Sequence, residues 1–496
     1  RMSLRKWKHF SIKLLMINFR IIFHILGLLL LVEGISMILP FGVSIYYGES
    51  DTLALGLTAA LNISLGTIAY LLTKKSNKSI GKREGFIIVS LVWVVFSLFG
   101  ALPFVISNYI PSYTNAFFET ISGFTTTGAS ILNDIERLPH GLLFWRSMTQ
   151  WLGGMGIIVL SLAILPIFGI GGMQLFVAEV PGPTPDKFHP RVKETAKRLW
   201  GIYLFFTLAE IILLFAGGMN LFDAVNHGFT TMATGGYSTK QASIAEFSPY
   251  IQYVITVFMF LAGTNFALSY YGLHFKFDKV LKNEEFRFYT AFIIGFTIII
   301  SIFLYLGDHF SVEGSFRHAV FQVVSITTTT GYVTTDYLQW MPFLSVIIFM
   351  LMFLGGSAGS TGGSIKIIRI ALLIKNSAME LKRLIHPNAV VPVRLNKKGI
   401  DPQIMTNILA FVVYYMTITV VSTIVMSAMG YDLNSSLGAV AASLGNIGPG
   451  IGAVGPVENY AHIPVFGKWF LSFLMLLGRL ELFTVLILFS PAFWKR

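Results

Sequence analysis

The sequence predicts an all-α membrane protein in which two N-terminal transmembrane helices precede four helix–loop–helix repeats. Three observations support this prediction: the composition, the long charge-free apolar stretches, and a glycine-centred motif that recurs four times. Of the 496 residues, 54% are hydrophobic and 12% charged, with a mean hydropathy of +0.70. Soluble domains carry about 25% charged residues, so this composition excludes an ordinary soluble enzyme. The absence of cysteine excludes a disulfide scaffold.

Ten stretches are long and apolar enough to cross a bilayer, which requires about 20 residues in a helix. Seven contain no charged residue: 53–72, 85–106, 151–178, 251–273, 288–306, 340–364 and 404–429. Three contain one or two charges: 21–40, 199–217 and 469–489. The short alternating segments of an outer-membrane barrel are not found. We therefore expect ten membrane helices.

The lysine and arginine residues predict the orientation. Of 36 such residues, 30 fall in six basic segments: 1–20, 74–83, 187–198, 276–287, 366–398 and 495–496. These segments alternate with cation-poor loops, so the positive-inside rule places them and both termini in the cytoplasm. In a protein this apolar, the net charge of +12 indicates membrane sidedness rather than nucleic-acid binding. Arg479 is the exception, because it lies inside a predicted span.

A Thr/Gly-rich string recurs in each of the four pairs of helices that follow the first two. We align the strings on one glycine each, at spacings of 107, 96 and 117 residues. They read Thr126-Thr127-Gly128-Ala129, Ala233-Thr234-Gly235-Gly236, Thr329-Thr330-Gly331-Tyr332 and Asn446-Ile447-Gly448-Pro449.

A second glycine element follows the strings at offsets of 25, 28, 24 and 30 residues. Helix packing through small residues would account for one such glycine, but four in phase indicate a repeat. The elements begin at Gly153, Gly263, Gly355 and Gly478. We therefore divide the chain into an N-terminal two-helix domain and four repeats, at 1–80, 81–183, 184–280, 281–398 and 399–496.

The segment before each string is short enough for a half-helix that ends near mid-membrane, at 114–124, 221–231, 314–326 and 435–444. Its C-terminal carbonyls favour a cation. Non-helical backbone at that depth must line a water-filled path or be buried in protein. Four such strands would present rings of carbonyl oxygens, which replace the hydration shell of potassium or sodium. The predicted filter comprises Thr126, Thr127, Gly128, Ala233, Thr234, Gly235, Thr329, Thr330, Gly331, Asn446, Ile447 and Gly448.

Several of these motifs resemble the TrkH/KtrB superfamily of potassium transporters over nearly the full length. They are the four strings, Gln150-Trp151-Leu152-Gly153-Gly154-Met155-Gly156, Pro181-Gly182-Pro183 and Gly478-Arg479-Leu480-Glu481. The two additional N-terminal helices favour the TrkH/TrkG branch. The resemblance implies a pseudo-fourfold arrangement of helix–pore-loop–helix repeats around one ion pore, with one filter glycine per repeat. It also implies a homodimer in the bacterial inner membrane. The fourth string departs from the Thr-Gly pattern, because Ile447 precedes its glycine.

A glycine-rich stretch interrupts the last helix of the third repeat. Each glycine costs roughly 1 kcal/mol relative to alanine in a helix, so this stretch is a poor helix. No Gly-x-x-x-x-Gly-Lys-Ser/Thr phosphate-binding loop is present. A flexible packing break is one interpretation, and the resemblance implies the other, an intramembrane gate. The residues are Gly355, Gly356, Ser357, Ala358, Gly359, Ser360, Thr361, Gly362 and Gly363.

Arg479 is costly inside a span, by roughly 2.5–3.5 kcal/mol. It is either a structural residue, paired with Glu481 or a helix dipole, or, as the resemblance implies, a barrier in the pore that also holds the gate. For Glu33, Glu210 and His24 we expect satisfied packing or interfacial contacts rather than proton relays. His227 and Glu119 lie near the filter and are candidates for tuning ion entry.

These observations predict a channel-like potassium uptake protein with K⁺ at the filter and no organic cofactor. Sodium- or proton-coupled symport is the alternative, and a membrane-embedded enzyme or receptor on the same scaffold is a rival with little support. The resemblance implies a cytosolic TrkA-type subunit that binds nucleotide, since this chain has no Rossmann motif. Membrane lipids are the other expected partners, and nucleic acids are not.

Overall fold

The computed structural model describes residues 17–74, 81–163, 188–307, 310–386 and 392–495. Within these ranges the regular secondary structure is helical apart from two short strand pairs, and loops join these elements. Among the described residues, six helices are long and apolar enough to span a membrane, or up to eight if each of two bent helix pairs is one span. The prediction of an all-α, multi-span membrane protein is confirmed. Pro181-Gly182-Pro183 lies outside the described residues.

Three N-terminal helices form a tight hairpin: α1 (Phe19–Ser36), α2 (Ile38–Tyr47) and α3 (Thr52–Thr73). Small residues let α1 and α3 approach closely. A Cβ atom at Gly27 would lie 2.7 Å from Ala69 Cβ, and one at Gly66 would lie 2.7 Å from the Gly27 carbonyl oxygen. The two predicted N-terminal spans thus correspond to α1 and α2, which together form one span from Phe19 to Tyr47, and to α3.

The remaining helices follow in four successive groups. The first contains α4 (Lys82–Gly100), α5 (Leu102–Ile106), α6 (Tyr113–Phe124) and α7 (His140–Ala163). The second contains α8 (Phe188–Ala216), α9 (Leu221–Met232), α10 (Pro249–Ala262), α11 (Phe266–Leu273) and α12 (Phe277–Leu281).

The third group contains α13 (Glu284–Gly307), α14 (Val312–Thr327), α15 (Pro342–Leu351), β1 (Leu354–Gly355), β2 (Ile365–Lys366), α16 (Ile367–Ile385), β3 (Arg394–Leu395) and β4 (Lys398–Gly399). The fourth contains α17 (Pro402–Ala428), α18 (Leu433–Gly445), α19 (Val465–Arg479), α20 (Phe483–Leu486) and α21 (Pro491–Trp494). Strands β1 and β2 pair in parallel, and β3 and β4 form an antiparallel hairpin.

Three predicted spans are not continuous helices. The span predicted at 251–273 bends by 113° between α10 and α11, and that at 469–489 bends by 112° after α19. The span predicted at 340–364 ends at Leu351 and gives way to a loop. All three breaks lie at the second glycine element. In the first repeat the same element, beginning at Gly153, lies inside α7, and residues 164–178 of the predicted span lie outside the described residues.

Four short helices, α6, α9, α14 and α18, lie at the centre of the packed core. Their bounds agree with the predicted half-helices to within two residues at either end. Three begin with a side-chain cap, in which Asn220, Ser311 and Asp432 accept hydrogen bonds from backbone N–H groups. Hydrogen bonds from the side chain and backbone of Ser435 lower the pKa of the Asp432 carboxyl, which keeps this cap charged. Along α6, every residue from Ala116 to Phe124 is buried, so these helices are held rigidly by the surrounding helices.

Candidate functional site

The four Thr/Gly-rich strings share one backbone geometry. Each begins with a residue in the left-handed region and continues, two residues later, to a glycine in the same region. The φ angles of the first residues are 53°, 52°, 60° and 55° at Thr126, Thr234, Thr329 and Asn446. Those of the glycines are 83°, 73°, 81° and 98° at Gly128, Gly236, Gly331 and Gly448. The strings are therefore structural equivalents.

This geometry corrects our alignment of the second string by one residue. The middle residue of each string donates its backbone N–H to the carbonyl five residues earlier, at 2.8–2.9 Å, from Thr127, Gly235, Thr330 and Ile447. Gly235 therefore corresponds to Thr127, and Gly236 is the equivalent of Gly128. The shared sequences Gly236-Tyr237 and Gly331-Tyr332 contained this information, because aligning the tyrosines gives the observed register.

The four strings form a closed ring. A Cβ atom at Gly128 would lie 2.2 Å from the carbonyl oxygen of Gly235, and one at Gly236 would lie 1.9 Å from that of Thr330. Likewise Gly331 faces the Ile447 oxygen at 1.9 Å, and Gly448 faces the Thr127 oxygen at 2.7 Å. Each string thus meets the next, and the fourth returns to the first. Because no side chain fits at these contacts, glycine is required at all four positions.

One side of the ring opens into a small cavity of about 90 Å³. The four ring glycines line it together with the residues that follow each string, including Ser130, Tyr237 and Pro449. The cavity therefore lies directly against one side of the ring. Four equivalent carbonyl oxygens, of Thr127, Gly235, Thr330 and Ile447, lie at the contacts between strings.

The supports of the ring differ between repeats. Gln150 Nε2 donates a 2.7 Å hydrogen bond to the Gly235 carbonyl, and Gln150 Oε1 accepts one of 3.1 Å from the Tyr237 backbone. Among the described residues, the other three ring carbonyls accept no hydrogen bond. In the fourth string, Asn446 Nδ2 donates to Thr127 Oγ1 at 2.9 Å and so ties the first and last strings together. We assigned Gln150 no role from the sequence, although it lies in a motif that we singled out.

The glycine-rich loop between β1 and β2 lies against the inner ends of the short helices. Its Gly363 N–H donates a 2.7 Å hydrogen bond to Thr329 Oγ1 in the third string. Thr361 Oγ1 donates to the carbonyl of Met232 at the end of α9. A Cβ atom at Gly363 would lie 2.5 Å from the carbonyl oxygen of Gly445 at the end of α18. The loop therefore contacts three of the four groups directly below the ring.

Arg479 connects this loop to the first group. Its Nη1 donates a 2.7 Å hydrogen bond to the Thr361 carbonyl, and its Nη2 donates one of 3.2 Å to the Gly153 carbonyl. The side chain is only 2% exposed. Glu481 does not pair with it, because the Glu481 carboxylate bonds to Arg369 instead. The structural alternative of an Arg479–Glu481 pair is thus wrong, and Arg479 holds the loop through backbone carbonyls.

The remaining titratable candidates differ in whether their polar atoms have bonding partners. Glu119 in α6 forms a buried ion pair with Arg146 in α7. His227 is fully buried, and its two ring nitrogens lie 2.8 Å from the Asp223 carbonyl and 3.0 Å from Ser238 Oγ. Glu33 and Glu210 differ from our expectation, because among the described residues none of their carboxyl oxygens has a hydrogen-bond partner. His24 bonds Thr73 and stacks on Tyr70, as an interfacial contact would.

Comparison with known proteins gives one consistent result. The family model described as "TrkH: Cation transport protein" matches residues 54–496. The chain is 42% identical over 483 residues to "Trk system potassium uptake protein TrkH" of Salmonella typhimurium, covering 96% of this chain and 100% of that protein. It is 35% identical over 480 residues to "Trk system potassium uptake protein TrkG" of Escherichia coli K12, covering 96% and 99%.

The fold has a solved counterpart as well. The crystal structure of the potassium transporter TrkH from Vibrio parahaemolyticus matches this chain with a TM-score of 0.88 and 38% sequence identity. The match covers 97% of this chain and 100% of the other.

Proposed function

The chain belongs to the TrkH family of cation transport proteins and is not an enzyme, and from this premise we propose that it conducts potassium into the cell through the ring of strings. The observation that carries this proposal is the closed cycle of four equivalent carbonyl oxygens. Backbone carbonyls replace the water around a dehydrated alkali cation. The C-terminal ends of α6, α9, α14 and α18 precede the strings, so their partial negative charge favours a cation there.

The proposed filter comprises the four strings in the corrected register, and we call it the filter below. Its ligands are backbone oxygens at Thr127, Gly235, Thr330 and Ile447, so a cation is bound without charged side chains. The pseudo-fourfold pore lies between the four repeats, and the domain limits given above are its proposed units. Potassium is the substrate, held transiently at the filter.

We assign the loop 355–363, the gate loop, to the control of flow. It lies against the inner ends of three short helices, and Arg479 holds it through Thr361. In this position it obstructs the path below the filter, and its displacement opens the path. Arg479 adds a positive charge on that path, which repels a passing cation.

The proposed setting is the bacterial inner membrane, with both termini in the cytoplasm and two chains forming a homodimer. The cytoplasmic partner is a TrkA-type subunit that binds nucleotide. The end of α16 and the β3–β4 hairpin offer it a surface, since Lys382 and Leu384 on α16 and Lys397 on the hairpin are exposed, Leu384 to 78%. Nucleotide binding to the partner would then move the gate loop through α16, which directly follows β2.

Ion flux into proteoliposomes tests this function. We expect uptake of potassium and rubidium to exceed that of sodium and lithium. Equal sodium and potassium flux would refute the proposed selectivity. If neither the parent protein nor a variant without the gate loop carried potassium, the proposed conduction would be refuted. Sodium- or proton-coupled symport is the alternative, and it predicts that potassium accumulates against its own gradient when a sodium or proton gradient is imposed.

A further inference from the structure

A buried ion pair adjoins the cavity outside the filter. Glu119 on α6 and Arg146 on α7 are 1% and 3% exposed, and Arg146 Nε lies 2.7 Å from Glu119 Oε1. Arg146 lines the cavity together with the four ring glycines. A cation that enters the filter from this side therefore passes close to a guanidinium group.

Both partners are also fixed by neighbouring groups. Arg146 Nη1 donates a 3.0 Å hydrogen bond to the Ser238 carbonyl, and its guanidinium lies 3.5 Å from the centroid of the Tyr237 ring. The Glu119 carboxylate accepts hydrogen bonds from Ser130 Oγ and from the Ile131 backbone N–H. These contacts tie the segments that follow the first and second strings to one charge pair. The pair therefore cannot move away from the cavity without breaking several bonds.

We propose that Glu119 sets the rate of cation entry by neutralising Arg146 at the mouth of the filter. An unpaired guanidinium at this place would repel every incoming cation, because the low-dielectric surroundings screen its charge weakly. With Glu119 ionised, the pair has no net charge and keeps the segments in position. Glu119 is thus a positioning and charge-balancing residue, not a ligand of the ion. This inference rests on the proposed potassium conduction.

The test compares single and double variants in proteoliposomes. In Glu119→Gln, Arg146 keeps its charge, and we expect rubidium uptake at subsaturating concentration to fall by about five- to tenfold. In the double variant Glu119→Gln/Arg146→Met, the charge is removed as well, and uptake should recover to within about twofold of the parent. A purely structural pair predicts the opposite, because the double variant then loses as much as or more than the single one.

A matched control is Asp278→Asn, which removes one carboxylate from an exposed pair with Lys282, 3.9 Å apart and 89% and 80% exposed, and neither residue lines the cavity. We expect its uptake to be unchanged, since an exposed pair contributes little. Size-exclusion profiles and thermal unfolding show whether each variant is folded. If Glu119→Gln folds and transports like the parent, or if the double variant fails to recover, the inference is overturned. If the parent itself carries no rubidium or potassium, it is the proposed function that fails.

Discussion

Glycine is required at some positions of the ring and not at others, and Gly236 and Gly235 are one example of each. At Gly236 the position of a Cβ atom is occupied by a backbone carbonyl, whereas at Gly235 it meets only the flexible Gln150 side chain, at 2.3 Å from Cδ. The residues equivalent to Gly235 are Thr127, Thr330 and Ile447, all of which have side chains. Positive φ at Gly236 adds strain for alanine, of order 1–3 kcal/mol.

These facts predict different results for two neighbouring substitutions. We expect Gly236→Ala to reduce rubidium flux by about tenfold or more, in line with that strain, and Gly235→Ala to reduce it only about two- to threefold. Flux into proteoliposomes at equal protein content measures both. A larger loss in Gly235→Ala than in Gly236→Ala would contradict the register observed here.

Gln150 offers a second test at the residue scale. Gln150→Leu removes the donor to the Gly235 carbonyl at nearly constant volume, so this oxygen becomes less restrained. We expect the potassium-to-sodium flux ratio to fall by about threefold, within the 0.5–1.5 kcal/mol of one hydrogen bond. The control is Gln252→Leu, since Gln252 is also buried and donates to backbone carbonyls, but at Ile244 and Phe247. An unchanged ratio in Gln150→Leu, or an equal change in the control, would count against this role.

At the scale of the secondary-structure elements, the gate loop is present because α15 ends at Leu351, in the middle of the span predicted at 340–364. The ends of the loop lie close together, because a Cβ atom at Gly362 would be 3.4 Å from the Gly356 nitrogen. Residues 357–361 can therefore be deleted with little change to β1 and β2. The deletion removes the contact of Thr361 with Arg479.

We expect this deletion to raise potassium flux several-fold, because the obstruction below the filter is removed while the filter remains. Flux in proteoliposomes is the measurement, with thermal unfolding to confirm that the protein is folded. Ser360→Ala is the control, since in the part of the chain that the structure describes Ser360 Oγ bonds only to the Ser357 carbonyl within the loop, at 2.7 Å, and its flux should match the parent. Unchanged or reduced flux in a folded deletion variant would refute a gating role.

The sequence allowed the short helices to be predicted, and also the break in the third repeat at its glycine-rich stretch, but not the breaks after α10 and α19. The short helices are bounded by polar caps such as Asp432 and by glycine strings, and both features are visible in the sequence. Average hydropathy does not register a break, because a bent helix such as α10–α11 is as apolar as a straight one. The second string was misaligned because Gly235 and Gly236 are both glycine, and the tyrosine that follows Gly236 and Gly331 was not used to fix the register.

At the scale of the whole molecule, the chain combines a buried filter with an exposed basic and apolar end. If a TrkA-type partner docks at α16 and the hairpin, charge reversal there should weaken its binding without changing the filter. We expect Lys382→Glu/Lys397→Glu to reduce binding by about tenfold or more, as several exposed charge contacts are reversed. Pull-down with the purified TrkA-type subunit measures binding, and the flux of the variant alone is the control. Binding at parental strength would refute this docking surface.

Among the described residues, only one of the four ring carbonyls, that of Gly235, accepts a hydrogen bond, and its donor is Gln150. In a channel assembled from four identical chains, every substitution occurs four times, so a side-chain hydrogen bond cannot be added to one side of the filter alone. Here the four strings are encoded separately within one polypeptide, so a substitution changes one of them alone. The second string has a side-chain hydrogen bond to its ring carbonyl, from Gln150, and the fourth has Ile447 where the first and third have threonine. The four sides of the proposed filter can therefore differ and can be adjusted in small, independent steps.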